Sequence, residues 1–386
     1  MPSAVEIFTG AGGLAIGLQQ AGFEHSALIE RDRRSCENLR GNAQGWNVVE
    51  SDSRLVDYSA FGADVRLVAG GPPCQPFSIG GRHMAHSDHR DMFPEAVRAV
   101  RELKPDAFIF ENVKGLLRKS FATYFNYILL QLTHPELPRG PREGWEGHLS
   151  RLERGHVKGK GTGLKYNVVF RLLNAADFGV PQSRHRVVIV GFRSDLGVSW
   201  SFPAETHSQD ALLHSQWVSK EYWDEHRIAK NKRPQIPKII ESRLDRLRAS
   251  GDTPLFPLLR WRTVRDAISG LPDPESAAAR RVPNHEPRPG ARAYPGHTGS
   301  LLDEPSKTLK AGDHGVPGGE NTVVMDDGGI RYYTVRESAR LQTFPDDYVF
   351  HGPWTENMRQ IGNAVPVRLA TIIGESVKKQ LDAAGI

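Results

Sequence analysis

The chain has 386 residues, and 50 Lys and Arg against 45 Asp and Glu give it a net charge of +5 and a pI near 9.1. This mild basic balance permits a polyanionic partner without requiring one. The two cysteines exclude a disulfide framework and a zinc site made of cysteines alone, which favours a reducing compartment. No signal-like start or membrane-spanning run is visible, so we expect a soluble protein of the cytoplasm, with two or three domains.

The first half of the chain alternates short apolar runs with helical patterns. Strands are predicted at 5–8, 27–29, 47–49, 65–69 and 107–110, and helices at 14–21 and 92–103. This βαβ rhythm predicts an α/β fold with a doubly wound, mostly parallel sheet.

A glycine-rich turn follows the first predicted strand. Gly10, Gly12 and Gly13 open the way to the first helix, and Glu30 ends the next strand 20 positions after Gly10. This spacing favours a ribose-containing cofactor, although a plain tight turn is the alternative. The turn lacks the dinucleotide and phosphate-loop patterns, so S-adenosylmethionine fits better than a pyrophosphate cofactor. Asp52, after the third strand, is placed to accept from an adenine amino group or is a solvated turn residue.

Residues 70–78 read GGPPCQPFS and follow the predicted strand 65–69. Glycines let the backbone turn sharply and prolines fix φ, so Cys74 is presented on a rigid loop at the carboxyl end of a strand. An isolated cysteine is more often a small buried hydrophobe. The helix-incompatible residues around this one favour a nucleophile instead.

The second half loses the alternation. Residues 201–330 are rich in Pro, Gly and Arg, which predicts a separate irregular domain with one helix at 237–249 that turns Ile239, Ile240, Leu244 and Leu247 inward. An amphipathic helix at 366–381 has Leu369, Ile373, Val377 and Leu381 inward. The Gly, Pro and Arg-rich segment 133–165 is either a DNA clamp or a surface insertion, and the insertion is slightly favoured.

Six segments, in order, resemble the DNA cytosine-5 methyltransferases of bacterial restriction-modification systems. They are residues 6–13 (EIFTGAGG), 71–78 (GPPCQPFS), 111–113 (ENV), 182–186 (QSRHR), 336–345 (RESARLQTFP) and 360–366 (QIGNAVP). One departure is Glu6, where the family usually has Asp.

The resemblance implies a Rossmann-like catalytic domain that is specific for S-adenosylmethionine and releases S-adenosylhomocysteine, with no metal. This domain is expected to be discontinuous, formed by residues 1–195 and 352–386. Residues 196–351 are expected to form a smaller target-recognition domain with the hinge, across a DNA cleft.

The family chemistry assigns roles to four residues. Cys74 adds to C6 of a cytosine, which makes C5 nucleophilic enough to take a methyl group. Glu111 is the candidate acid at N3, because negative charge develops there on the ring. The resemblance implies that Arg186 hydrogen-bonds the O2 side of the base and that Arg184 supports the loop. The base that removes the C5 proton is not identified and can be water.

The other candidate residues fall into two sets. Those expected to bind the cofactor are Phe8, Gly10, Gly12, Gly13, Leu14, Glu30, Asp52, Pro72, Asn363 and Val365. Those expected to contact DNA are Ser78, Arg90, Gln182, Lys307, Thr308 and Lys310. Since a stacked base is out of reach of the thiolate, the target cytosine is expected to flip out of the duplex.

We therefore expect a monomeric enzyme that methylates C5 of cytosine within a short specific sequence of double-stranded DNA and associates with the nucleoid through this substrate. A cognate restriction endonuclease that acts on the same site is a further possible partner. Alternatives are a tRNA cytosine-5 methyltransferase, a non-catalytic DNA-binding scaffold and a Rossmann dehydrogenase with a redox cysteine. The absence of a third cysteine, the presence of Cys74 with Glu111, and the Gly-x-Gly-Gly turn argue against these in turn.

Overall fold

The apolar runs of the first half form one seven-stranded sheet. Its strands are β1 (Ser3–Ile7), β2 (Glu24–Glu30), β3 (Val48–Glu50), β4 (Val65–Gly70), β5 (Ala107–Val113), β6 (Tyr166–Asn174) and β7 (His185–Arg193). Their order is β3-β2-β1-β4-β5-β7-β6, with β1 to β5 parallel and β7 antiparallel to β5. The predicted doubly wound sheet is confirmed. The computed structural model describes residues 1–42, 45–62, 64–73, 91–158, 163–249, 258–293, 298–311 and 321–385.

Helices cover both faces of this sheet, because parallel strands need crossover connections. They are α1 (Gly13–Gln20), α2 (Arg33–Asn42), α3 (Phe93–Leu103), α4 (Ala122–Thr133), α5 (Trp145–Lys158) and, at the end of the chain, α12 (Val367–Ala383). α3, α4 and α5 share the main hydrophobic core with β1, β4, β5 and β7. Across the described ranges, none of the helices combines the length and apolar character needed to cross a membrane.

The last helix packs closely against the first. A Cβ added to Gly17 would lie 2.4 Å from the Cβ of Ala370, and one added to Gly374 would lie 2.8 Å from the Cβ of Ala21. Glycine is required because the two helices approach too closely for a larger side chain. The pairs 17–370 and 21–374 show that α1 and α12 run parallel, so Pro366 lies level with Gly13 at the start of α1. The predicted inward residues of α12 are buried, as expected.

The chain divides into two compact units. The first contains Met1–Leu173, His185–Pro203 and Ala364–Ile386, and the second contains Asn174–Arg184 and Ala204–Asn363. Compared with the expected domain bounds, residues 174–184 and 352–363 belong to the second unit and residues 196–203 to the first. Segment 174–184 closes on itself there, since the Asn174 side chain accepts from the backbone N–H of Arg184 at 3.1 Å.

The second unit has short strands and helices around several small cores. Its strands are β8 (His207–Ser208), β9 (Leu259–Arg260), β10 (Ser300–Leu301), β11 (Thr322–Val324) and β12 (Ile330–Tyr332). Its helices are α6 (Gln209–Trp217), α7 (Glu221–Glu225), α8 (Glu241–Ala249), α9 (Val264–Ile268), α10 (Val335–Leu341) and α11 (Trp354–Asn363). Buried aromatic rings, including Tyr222 and Trp223, fill one of these cores.

Two parts of the fold differ from the expectation. Ile239 was expected to point inward, but its side chain is 91% exposed. The reason is that Lys238–Ile240 form a 3₁₀ turn, so the α-helical period begins only at Glu241, and Leu244 and Leu247 are buried as expected. The segment 133–165 also contains α5, whose Leu149 and Leu152 join the main core.

Asp266 is a charged centre inside the second unit. Burial alone would raise its pKa, but hydrogen bonds from His226, Arg260 and the backbone of Thr263 outweigh burial and hold the pKa well below its ordinary value. Arg260 contacts both carboxylate oxygens, at 2.7 and 2.9 Å.

Replacement of Asp266 by Asn should therefore destabilise the second unit at neutral pH by about 3 kcal/mol, because Arg260 would be left without its buried partner. A depressed folded pKa stabilises the fold above the unfolded pKa, near 4, and this contribution disappears as the pH falls toward the folded value. Denaturant unfolding of both proteins at pH 7 and at pH 3 should thus show a smaller gap at the lower pH. Equal stabilities at pH 7 would contradict this account.

Candidate functional site

The residues expected to bind a cofactor lie at the ends of four neighbouring parallel strands. Asp52 follows β3, Glu30 ends β2, Gly10 follows β1 and Pro72 follows β4. These strands are adjacent in the order β3-β2-β1-β4, so the four groups line one edge of the sheet. The carboxyl edge of such a sheet is where ligands bind.

Glu30 organises the glycine-rich turn. Its Oε2 accepts from the backbone N–H of Gly10 at 2.8 Å, and its Oε1 accepts from the N–H groups of Arg31 and Asp32, each at 2.8 Å. A carboxylate oxygen has two lone pairs, so Oε2 can still accept from a ribose hydroxyl. The carboxylate that is expected to bind a ribose, that of Glu30, therefore lies directly on the turn.

The turn itself requires positive φ angles. Phe8, Gly10 and Gly12 have φ angles of 57°, 57° and 81°, and a Cβ at Gly10 would meet no atom within 4 Å. The space above this backbone is thus open for a ligand, as a nucleoside cofactor requires. Leu14 is buried in the first turn of α1. Val365 is buried one residue before Pro366, which lies level with the start of α1.

Asp52 is already ion-paired within its own turn. It accepts from the backbone N–H of Arg54 at 3.0 Å and from the Arg54 Nε at 2.9 Å. The hydrogen bonds and charge of Arg54 lower the pKa of Asp52 to about 2, so the carboxylate is ionised at neutral pH. An ionised carboxylate fits the expected hydrogen bond from an adenine amino group. Asp52 would then accept from both Arg54 and the adenine.

Arg98 in α3 is a residue that the sequence did not single out. Its guanidinium donates to the carbonyls of Ser53 at 2.5 Å and Val56 at 3.1 Å, and it lies 4.6 Å from the centre of the Tyr58 ring. It thereby ties the turn that carries Asp52 to α3. α3 follows residues 74–90 in the chain, so Arg98 connects the turn that carries Asp52 to the helix after the segment that contains Cys74.

A buried ion pair joins the ends of β5 and β7. The Nε of Arg186 lies 2.5 Å from the Oε1 of Glu111, and both side chains are 10% exposed. The antiparallel pairing of β7 with β5 sets Val113 opposite Arg186, which brings the guanidinium to the carboxylate. Burial lowers the pKa of Arg186, and the negative charge of Glu111 opposes that shift. Glu6 lies in β1, which β4 separates from β5. Its side chain is fully buried, and burial raises its pKa well above the usual range.

The loop that leads to Cys74 starts beside this ion pair. A Cβ on Gly71 would lie 3.5 Å from the Oε2 of Glu111, and Asn112 donates from its side chain to the carbonyl of Pro72 at 3.0 Å. Asn112 is buried and was quoted in the sequence only as part of a motif. Cys74, Ser78 and Arg90 lie outside the described residues.

Two other predicted residues lie in the interior of the second unit. Arg184 is fully buried and donates to the carbonyls of Gly362 at 2.7 Å and Leu309 at 3.4 Å. Gln182 is also fully buried, and its amide oxygen accepts from the backbone of Leu309 at 3.1 Å. In this conformation neither side chain has surface to offer to a base or a phosphate.

The remaining predicted residues of the second unit lie nearer its surface. Lys307 and Lys310 are exposed, as is Asn363 at the end of α11. Thr308 is half-buried and donates to the carbonyl of Ser183 at 2.8 Å.

Three side chains of the second unit lie close enough to hold a metal ion. Among the described residues, Glu225, His226 and Asp266 form such a group. The guanidinium of Arg260 already contacts both carboxylates, at 2.9 Å from Glu225 and 2.7 Å from Asp266. A guanidinium of the protein itself thus already binds both carboxylates of this group.

Comparison with known proteins gives the chain its family. The model for the C-5 cytosine-specific DNA methylases matches residues 3–135 and 156–379. The chain belongs to this family. It is a DNA cytosine-5 methyltransferase that transfers a methyl group to cytosine.

Individual relatives agree with this assignment. The type II methyltransferase M.Eco47II of Escherichia coli is 31% identical over 98% of this chain and 79% of its own length. M.NgoMIV of Neisseria gonorrhoeae is 30% identical, with 98% of each chain covered. A solved E. coli prophage protein named as a DNA modification methyltransferase superposes with a TM-score of 0.60 over 99% of this chain and 100% of its own, at 20% identity, which shows the shared fold.

The position of Arg98 predicts a role in cofactor affinity. Replacement of Arg98 by Met removes its hydrogen bonds to the carbonyls of Ser53 and Val56, besides those to Glu95 and Glu102 of α3. Loss of the two carbonyl contacts should weaken binding of S-adenosylhomocysteine about tenfold. Arg98→Lys should recover part of the affinity. Titration calorimetry measures the dissociation constants. Arg101→Met on the same helix is the matched control, since Arg101 lies 4.0 Å from Glu102 and has no hydrogen bond to Ser53 or Val56. A folded Arg98→Met protein with unchanged affinity would refute this role.

Asn112 predicts an effect on the rate of methyl transfer. Loss of its hydrogen bond to the carbonyl of Pro72 should let the loop that leads to Cys74 shift. A displacement of about 1 Å can cost about 100-fold in rate. Asn112→Asp retains the acceptor oxygen but not the N–H donor, so it should be as slow as Asn112→Ala. Single-turnover assays at saturating DNA and cofactor provide the rate constants. Wild-type rates in the Asp variant would show that the donor is not needed.

Proposed function

We propose that this methyltransferase acts on a flipped cytosine within a short specific sequence of double-stranded DNA, with Cys74, Glu111 and Arg186 as its catalytic residues. The observation that supports this most directly is the buried pair of Glu111 and Arg186, 2.5 Å apart, next to the loop that leads to Cys74. A carboxyl group and a guanidinium side by side provide complementary groups for N3 and O2 of one pyrimidine.

The proposed reaction begins with attack of the Cys74 thiolate on C6, which places an electron pair in the ring. Glu111, in its carboxylic acid form, donates a proton to N3, and Arg186 stabilises charge at O2, so C5 becomes nucleophilic. S-adenosylmethionine, when bound, supplies an electrophilic methyl group and leaves as S-adenosylhomocysteine. Loss of the C5 proton to a base then expels the Cys74 sulfur as a thiolate. N3 returns its proton to Glu111, so the aromatic ring and both catalytic groups are restored.

The cofactor is proposed to lie along the carboxyl edge of β3, β2, β1 and β4. Glu30 would bind the ribose, Asp52 would accept from the adenine amino group, and the turn at Gly10 would admit the cofactor close to the backbone. The remaining contacts proposed here come from Phe8, Gly12, Gly13, Leu14, Pro72, Asn363 and Val365. No step of the proposed reaction requires a metal ion.

Roles in DNA binding divide by exposure. Lys307 and Lys310 are exposed and are proposed to contact phosphates, together with Ser78 and Arg90. Gln182, Thr308 and Arg184 are proposed instead to position the segment around Leu309, because their side chains are bound to backbone groups. Arg184, counted among the catalytic residues in the sequence, thus has the supporting role that the resemblance implies, through its hydrogen bonds to the carbonyls of Leu309 and Gly362.

We further propose that the enzyme acts as a monomer in the cytoplasm, close to the nucleoid, and protects host DNA from an endonuclease that cuts the same sequence. Type II methyltransferases among the relatives support this setting. No contact with the endonuclease is implied, because both enzymes need only share a recognition sequence.

The direct test is transfer of a labelled methyl group from S-adenosylmethionine to duplex DNA, with tRNA as a parallel substrate and Cys74→Ala as the control. We expect label in DNA as 5-methylcytosine, confined to one sequence context, and none with the variant. Label in tRNA alone would overturn the proposed substrate. Transfer that persists in Cys74→Ala would overturn the proposed nucleophile.

A further inference from the structure

The connection between α4 and α5 lies outside the match to the family model. That match stops at residue 135 and resumes at residue 156, so it does not cover residues 136–155. Residues 137–143, here called the arginine loop, read LPRGPRE. The loop carries Arg139 and Arg142 on either side of Gly140-Pro141.

Hydrogen bonds from α5 hold the arginine loop in one shape. Arg151 donates to the carbonyl of Pro138 at 2.7 Å and forms an ion pair with Glu143 at 2.8 Å. The same Glu143 carboxylate accepts from the backbone N–H of Gly140 at 2.9 Å, which closes a turn with Arg142 near its tip. The loop is therefore fixed before any partner arrives.

A buried histidine anchors the start of the loop. The Nε2 of His148 lies 2.7 Å from the carbonyl oxygen of Leu137, and its Nδ1 lies 2.8 Å from the hydroxyl of Tyr127. Tyr127 belongs to the main core. The loop is thus tied to the rigid interior of the first unit and not only to its neighbouring helix.

The two arginines of the loop have no ion-pair or hydrogen-bond partner in the described part of the chain. Both Arg139 and Arg142 are exposed. The only carboxylate of the loop, Glu143, is neutralised by Arg151. Just outside the loop, Glu136 lies 3.8 Å from Lys104, and Glu146 is exposed on α5. The loop itself therefore presents two uncompensated positive charges to solvent.

The arginine loop is followed by Trp145, which is connected through Tyr124 to Asp91. Trp145, the first residue of α5, packs with its ring 5.7 Å from the ring of Tyr124 and 5.8 Å from that of Tyr127. The hydroxyl of Tyr124 donates to the carboxylate of Asp91, the first described residue after 74–90. Trp145 and Tyr124 thus connect the residues that follow the loop to Asp91, just before α3.

We propose that the arginine loop binds the DNA phosphate backbone outside the target base pair, through Arg139 and Arg142. This inference rests on the proposed action on duplex DNA. Guanidinium groups bind phosphates well, and a preformed loop loses little conformational entropy on binding. Contacts to phosphates carry no base information, so the loop adds affinity for any duplex and leaves the choice of sequence to other residues.

The test compares the Arg139→Ala, Arg142→Ala double variant with wild type in binding to labelled duplex DNA between about 50 and 200 mM salt. Each lost phosphate contact should reduce the slope of log K against log salt by about 0.9, so the double variant should lose about 1.8. Affinity should fall by the same factor for duplexes with and without the methylated sequence, while kcat at saturating DNA stays unchanged.

Two further variants control for charge. Arg154→Ala removes one positive charge from the exposed side of α5, about 13 Å along the helix from Trp145, and should leave the slope at its wild-type value. Replacement of Arg139 and Arg142 by Lys should restore most of the slope. A double alanine variant with the wild-type slope, or one no different from Arg154→Ala, would overturn the proposal. Failure of wild type to methylate DNA at all is a separate result, which would instead overturn the proposed function.

Discussion

The buried contact between Glu111 and Arg186 is the interaction on which the arrangement of the catalytic edge depends. Removing two charges from water is costly, and only close pairing and further hydrogen bonds offset that cost. The pair forms because β7 enters the sheet antiparallel to β5, so that its first residues meet the last residues of β5. A parallel β7 would place Arg186 at the opposite edge. The direction of this one strand therefore determines that the two side chains meet at the carboxyl end of β5.

Around this pair, hydrogen bonds from side chains fix loops that have no secondary structure of their own. Asn112 holds the carbonyl of Pro72, Arg98 holds those of Ser53 and Val56, and Glu30 holds the backbone of Gly10. Each of these donors or acceptors lies on a helix or at a strand end, where its own position is rigid. The turns at the carboxyl ends of β1 and β3 and the backbone at Pro72 are thus held in place by the sheet and by α3.

Much of the fold and of the candidate site could be predicted from the sequence, because the responsible signals are local. The spacing of Gly10 and Glu30 and the apolar run before Glu111 each lie within one βαβ unit. The role of Arg98 could not be predicted. The two carbonyls that it holds, those of Ser53 and Val56, lie more than 40 residues away in the chain and leave no sequence pattern. Ile239 was misassigned because a 3₁₀ turn precedes the helix, and Gln182 because a polar residue in a motif does not reveal its burial.

The central claim is that Glu111 and Arg186 activate the cytosine for attack by Cys74, before any methyl group is transferred. This addition makes C5 able to exchange its hydrogen with water, so exchange can be measured as tritium release from DNA labelled at C5 of cytosine, in the absence of S-adenosylmethionine. The account predicts measurable release by the wild-type enzyme, none by Cys74→Ala, and release slowed at least about 100-fold by Glu111→Gln, in line with the usual contribution of general acid catalysis. Release at the wild-type rate by Glu111→Gln would contradict it.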